Sequence, residues 1–252
     1  MKTRKGERLV LIYALAFCVL VLALHPSFPE WRGITSGRSA RKMQSASHLH
    51  NVGLGLLGYE MNAPGLPTRH QPVGQNQPLQ SWMTRILPDL DQQNLYEQVH
   101  LDRPWDDLSQ LPAFRQPIGI FRNPQEDPSL LESGRAPSHY AGNAAIFDRD
   151  QILRTADFPD GTFQTILAGE AQGNFRAWGD PGNTRSVGLG INKSPHGFGA
   201  QWNSGSGCRN ITGANFLFAD GSARFLSDTI DPRVLKALST PDGREVVGPG
   251  FP

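Results

Sequence analysis

The sequence predicts an α+β protein: an N-terminal transmembrane helix, then an exported domain in which an amphipathic helix packs on an antiparallel sheet with long loops. Three observations carry this expectation. An unbroken apolar run extends from Leu9 to Leu24 behind a basic flank. Between residues 39 and 60 apolar side chains recur at three- and four-residue steps, the period of a one-faced helix. Near the C-terminus two Phe- and Leu-rich runs flank Asp220-Gly221, a strong short-range hairpin signal.

Residues 1–8 hold Lys2, Arg4, Lys5 and Arg8 and are expected to stay in the cytoplasm, with everything after residue 25 exported. Sixteen apolar residues then form the segment 9–24. At the helical rise they cover roughly 24 Å, short of the ~30 Å hydrocarbon core but workable with Arg8 snorkelling. The expected location is the cytoplasmic (inner) membrane, single-pass. A cleaved signal peptide is the alternative, with Val21-Leu22-Ala23 as the small-residue site.

Residues 25–38, with two prolines and two glycines, read as a linker, and 39–248 as the exported domain. In "SARKMQSASHLHNVGLGLLGYE" the residues Met43, Ala46, Leu49, Val52, Leu56 and Tyr59 give one apolar stripe, while Arg41, Lys42, Gln44, Ser45 and His48 take the other faces. Gly53, Gly55 and Gly58 each cost up to about 1 kcal/mol in a helix unless a close partner needs the space. Trp82, Ile86 and Leu87 suggest a short helix stopped by Pro88, and Leu90, Leu95 and Val99 a further turn or two.

At the C-terminal hairpin, Phe216 and Phe218 are expected on one face and Leu217 and Ala219 on the other, with a type I′ turn at Asp220-Gly221. Both strands carry apolar groups on two faces, so the hairpin should be covered on both sides. Asp231 as N-cap and Pro232 at the first helical position start a closing helix with Val234, Leu235 and Leu238 inward.

Composition narrows the function classes. A net charge of +1, without a Lys/Arg stripe beyond residue 8, argues against nucleic acid. Cys18 lies in the apolar run and Cys208 in a Gly/Ser loop, so the two neither pair nor build a metal site. His48 and His50, two apart on a helix, point to different sides and read as solvated. Asp102, Asp106 and Asp107 lack the spacing of a calcium loop and read as turn and cap residues. No metal site and no cofactor is expected.

Catalytic signals are equally thin. Glu170 ends an apolar strand, and His139, Asp180 and His196 lie in glycine-rich surroundings, but no paired acid, activated nucleophile or metal triad accompanies them. "SVGLGINKSPHGFG" lacks the context of a phosphate loop.

Several blocks resemble, in order, a large bacterial family of unknown function made of prepilin-like proteins. "SARKMQSASHLHNVGLGLLGYE" is similar to its "NNLKQIGLALHNY" helix, and "SWMTRILPDLDQQNLYEQVHLDRPWDD" to its "SWRVRILPYLEQQNLY" and "PWDDP" segments. "SHYAGNAAIF", "FPDGTFQTILAGE" and "GANFLFADGSARFLSDTIDPRVLKALSTPDGREVV" resemble the segments that follow, so the resemblance runs from about Arg38 to Val247. Three departures accompany it. Gly6 is followed by Glu7, Arg8 and Leu9, not by the prepilin cleavage signature. Asn210 stands where the family has a His ahead of Asp-Gly. Asn123 and Pro124 stand in place of its "FRCPSD" cysteine segment, and any pairing or ligand role of those positions goes with them. "NIT" at 210–212 matches a glycosylation acceptor, which means little in a bacterial chain.

The resemblance implies a pilin-like domain and a pseudopilin-like structural or secretion-associated role without catalysis. Its partners would be the membrane and proteins, or self-assembly through the N-terminal helix. A second reading is an extracytoplasmic carbohydrate- or peptide-binding module presenting Trp178, Phe198 and Trp202 from the loops of residues 173–214. A third is a hydrolase built around Glu170 and His196.

Overall fold

The computed structural model describes residues 27–68, 80–200, 202 and 212–245. The apolar run 9–24, Cys18, Cys208, Asn210 and most of the "NIT" site lie outside the described residues. Among the described residues no helix is long and apolar enough to cross a membrane.

Helix α1 runs from Ser27 to Asn62. It therefore includes most of the stretch expected as a linker. Pro29 sits in the first turn, where the missing N–H leaves no intrahelical bond unmade. The buried face of α1 also differs from the apolar stripe in the sequence. Ser45, Leu49, Val52 and Leu56 are fully buried and Glu60 nearly so, whereas Met43 is 72% exposed. Hydrophobic periodicity misplaces the upper end of the face because Ser45 is buried by a hydrogen bond to a carboxyl, not by its hydropathy.

Five strands form the main sheet: Tyr140–Asn143 (β2), Ile166–Glu170 (β3), Thr184–Arg185 (β5), Gly213–Phe218 (β6) and Ala223–Ser227 (β7). Their order across the sheet is β5-β2-β3-β6-β7. All pairs are antiparallel except β2 with β5, which departs from the expected antiparallel sheet. The parallel pair is short, two residues at the edge, and is reached through the segment that follows β3. Strands β1 (Pro137–Ser138) and β4 (Arg176–Ala177) pair separately.

Side-chain alternation along β6 and into the turn divides the core into two layers. Leu217 and Ala219 join Leu49, Val52 and Leu56 of α1 on one face. Ala214, Phe216 and Phe218 join Val187, Ile191, Phe198, Leu235 and Leu238 on the other. The last two belong to or follow the short helix Pro232–Ala237, whose N-cap Asp231 accepts from the Arg233 N–H at 2.8 Å. A register shift in β3 between Ile166 and Ala168 puts Leu167 and Ala168 together in the α1-side layer.

The hairpin turn is not the expected type I′. Phe218 N–H donates to the Ser222 carbonyl at 2.9 Å and Gly221 N–H to the Phe218 carbonyl at 2.9 Å, so the loop has three residues. Gly221 has φ +81° while Asp220 is not in the left-handed region, the pattern of a three-residue loop closed by a glycine bulge. Asp220 accepts from Ser222 N–H at 2.9 Å and pairs with Arg224 at 2.8 Å, which completes the turn.

Helix α1 grips this turn directly. His50 Nδ1 lies 2.8 Å from the Gly221 carbonyl, and since a carbonyl only accepts, the ring donates. His48 makes the equivalent bond to the Arg122 carbonyl at 2.9 Å. The two histidines do point to different sides, and each docks the helix through one ring nitrogen, while His50 stays exposed and His48 half-buried. A Cβ on Gly53 would lie 2.6 Å from Leu217 Cδ1 and 3.3 Å from the Gly221 backbone. Gly53→Ala is therefore expected to destabilise the fold by about 1–3 kcal/mol despite alanine's higher helix propensity. Chemical denaturation measures this, and a more stable variant would mean that the hairpin is not seated on α1.

Candidate functional site

Strand β3 ends in Glu170, fully buried between α1 and the sheet. Among the described residues its carboxyl group collects five donors. Oε1 accepts from Ser45 Oγ in a short hydrogen bond, from Asn215 Nδ2 at 3.0 Å and from Asn123 Nδ2 at 3.3 Å. Oε2 accepts from the Asn215 backbone N–H at 2.7 Å and from Trp202 Nε1 at 3.2 Å. The donors come from helix, sheet and two loops, so this one group ties four parts of the chain together. Burial pushes its pKa up to about 6, and the hydrogen bonds from Ser45, Asn215 and Trp202 limit the rise.

A second hydroxyl lets the cluster hold a proton. Tyr140 Oη lies 2.9 Å from Ser45 Oγ and donates to the Arg122 carbonyl at 3.2 Å. When Glu170 is protonated, its O–H has Ser45 Oγ as acceptor, Ser45 turns to Tyr140, and every hydroxyl keeps a partner. Asn215 Nδ2 also reaches the Lys42 carbonyl at 3.2 Å, a further link from sheet to helix. The Lys42 ammonium sits 3.2 Å from the centre of the Phe225 ring. Burial lowers its pKa, and the charge of Glu170 opposes that shift.

Asn123 joins this cluster to His139. Its backbone N–H donates to His139 Nδ1 at 3.1 Å, which places the ring proton on Nε2. His139 is buried, and its ring meets Phe175 edge-on at 4.5 Å. Burial first, then the Arg122 charge, lowers its pKa to about 4, so it is neutral at physiological pH.

The loop after β3 is organised by Arg185. Nη1 donates to the carbonyls of Gly197 at 2.7 Å, Pro195 at 3.1 Å and Gln172 at 3.3 Å, and Nη2 to those of Gly173 at 2.7 Å and Asn174 at 3.0 Å. Burial lowers the Arg185 pKa to about 10, with the nearby Arg176 adding to the shift. It remains charged throughout the physiological range.

The aromatic residues expected to present a binding surface are buried instead. Trp178 packs on Phe114 with ring centres 4.6 Å apart and donates to the Gln116 carbonyl at 3.0 Å. Phe198 packs on Phe216 at 5.3 Å, in the opposite layer of the core, and Trp202 is held by Glu170. Loop residues close a small sheet here, so their rings fill the core and form no common face. Glu170 and His196 do not meet either: His196 is exposed and contacts the Asn174 amide at 3.3 Å. Asp180 accepts from Gly182 N–H at 2.7 Å and pairs with Arg176, and Asp107 caps the turn at Ser109. Among the described residues no group of three His, Cys, Asp or Glu side chains is placed to hold a metal ion.

Sequence reasoning missed Ser45, Asn123, Tyr140, Asn215 and Arg185. Asn215 alone left a signal, as a polar residue inside the apolar strand "GANFLF".

The fold and this cluster define a class of protein: one long helix bolted to a small sheet through a buried carboxyl. Over residues 35–190 the chain matches the profile of a family described as "Protein of unknown function (DUF1559)", and it belongs to that family. The match ends before the C-terminal hairpin. Neither the curated proteins nor the solved structures gave a match.

The buried carboxyl makes stability depend on pH. A carboxyl whose folded pKa is about 6 against an ordinary 4.5 favours folding below pH 4.5 and loses that advantage as pH rises to 6. Glu170 thus contributes about 2 kcal/mol less stability above pH 6 than below pH 4.5. His139, depressed from 6.5 to about 4, acts in the opposite sense, because stability falls as pH drops through that interval. The diagnostic is therefore the difference between wild type and Glu170→Gln. The variant, whose amide turns hydrogens toward donors, is expected to be less stable by about 2–4 kcal/mol at pH 4.5. That gap should narrow as pH rises to 7, as read by denaturant titration; a pH-independent gap would contradict the assignment.

Arg185→Lys keeps the charge but not the planar fork. It is expected to cost about 2–4 kcal/mol and to speed hydrogen exchange at the Gln172 and Asn192 amides, which close the loop on Gly197 and Phe198. Unchanged exchange there would show that the guanidinium does not hold the loop.

Proposed function

We propose that the protein is a membrane-tethered, extracytoplasmic structural component of pseudopilin-like kind, secretion-associated and without catalytic activity. The observation that carries this reading is the long helix. Helix α1 has 36 residues, and where its burial is described, at Gly37 and from Ser39 on, the first buried position is Ser45, so the head is seated on the stretch from Ser45 to Glu60. In sequence, α1 follows directly on the apolar run 9–24 and its basic flank.

The prepilin-like character rests on the ordered sequence blocks, which run from the α1 segment through the hairpin. The buried cluster favours a structural role as well, since the acceptor positions of Glu170 are taken by the protein's own donors. The test is the mature N-terminus of the native protein, by intact mass and N-terminal peptide sequencing of membrane and soluble fractions. An uncleaved chain in the membrane fraction is expected. A chain cut near Ala23 and recovered as a soluble product would overturn the tether.

A further inference from the structure

Met43, which hydrophobic periodicity places against the sheet, points instead to solvent, and it is not alone. Leu54 is 53% exposed and Met61 86%, on the same helix. Ala40 and Ser47 are exposed as well. Ala40, Ser47, Leu54 and Met61 stand seven residues apart, with Met43 beside them one turn on, and this line lies opposite the docked face of Ser45, Leu49, Val52 and Leu56. Large apolar side chains scattered singly need no explanation, but three of them sharing one line of a helix do. Ser47 is the polar member, and a serine on a helix can return its hydroxyl to a carbonyl one turn earlier, so it asks little of a neighbour.

The spacing identifies the kind of partner. A period of seven keeps a seam facing another helix, whereas a helix lying on a sheet or a globular surface follows 3.6. The partner helix must match the seam in length. Among the described residues the next longest helix is Pro232–Ala237, six residues, so the described part of the head offers no such helix. The seam is flanked by Gln44, Asn51 and Gly58 on one side and by His50 and Leu57 on the other, without a carboxylate, ammonium or guanidinium. Of the three charged residues of this stretch, Lys42 turns onto Phe225 and Glu60 onto Thr155, and Arg41 stands about 100° round the helix from Ala40, away from the seam. Two identical seams therefore bring no like charges together.

We propose that the Ala40–Met61 seam of α1 pairs in parallel with the same seam of a second copy of this chain. The parallel sense rests on the tethered reading of the N-terminus, which points the helices of neighbouring copies the same way. The small residues Ala40 and Ser47 then allow close approach nearer the N-terminus, and Leu54 and Met61 fill the seam further along. This surface belongs to the head and is distinct from the apolar run 9–24.

Disulfide trapping tests it in the full-length chain with Cys18→Ser and Cys208→Ser, expressed in its native membrane. Ser47→Cys and Leu54→Cys are each expected to give homodimers at least ten-fold more than Leu108→Cys, an exposed apolar position off α1. Adding Met61→Glu, which alters a side chain that is 86% exposed, should abolish the product without unfolding the head. Homodimer yields no higher than the Leu108→Cys control would overturn the proposal. So would a cross-link only between positions 47 and 54 in a mixture of the two variants, which indicates antiparallel pairing, or a cross-link to a different protein. Fractionation of the same sample separates this result from the tether: same-position homodimers from a soluble, cleaved chain would keep the seam while removing the anchor.

Discussion

A carboxyl group with no access to water has to be satisfied by its own chain, and here that requirement shapes the molecule. Desolvation of Glu170 is opposed by five hydrogen bonds that come from four separate backbone segments. Ser45 sets the height of α1 on the sheet, Asn215 the register of the hairpin, Asn123 the path of the chain into β2, and Trp202 the return into β6. An apolar residue at position 170 would leave these donors unpaired, so the hydrophobic layers on either side pack only in the arrangement the carboxyl permits.

Much of the local structure is legible in the sequence because it depends on neighbours. The hairpin, the N-cap at Asp231 and the faces of Phe216 and Leu217 follow from turn chemistry and alternation within a dozen residues. The helix is legible as a helix, and its inward residues Leu49, Val52 and Leu56 follow from the 3.6 period. What the period misses is the polar part of the face. Ser45 and Glu170 are 125 residues apart, and nothing near either announces the other. Glu60, which accepts from both the N–H and the hydroxyl of Thr155 at 2.8 Å, is hidden for the same reason.

The aromatic residues show a related limit. Trp178, Phe198 and Trp202 lie between glycines and polar residues, which reads as exposed loop. In a sheet of short strands, however, the loops themselves must supply the cover, and the side chains with the largest apolar area are the ones turned inward. The Arg185 fork makes such a buried loop possible by pairing carbonyls that no strand reaches.

The positions of the polar bolts on α1 have a mechanical consequence. Ser45, His50 and Glu60 engage Glu170, Gly221 and Thr155 at successive heights along about 15 residues of helix, on the order of 22 Å. A pull along the helix axis loads these contacts together, in shear, and the apolar layer between them must slide as a unit. A sideways pull at one end loads them in sequence, as in peeling. The head is therefore strongest against force directed along the helix that carries it, which is the direction in which an attachment at the N-terminal end of α1 would transmit load.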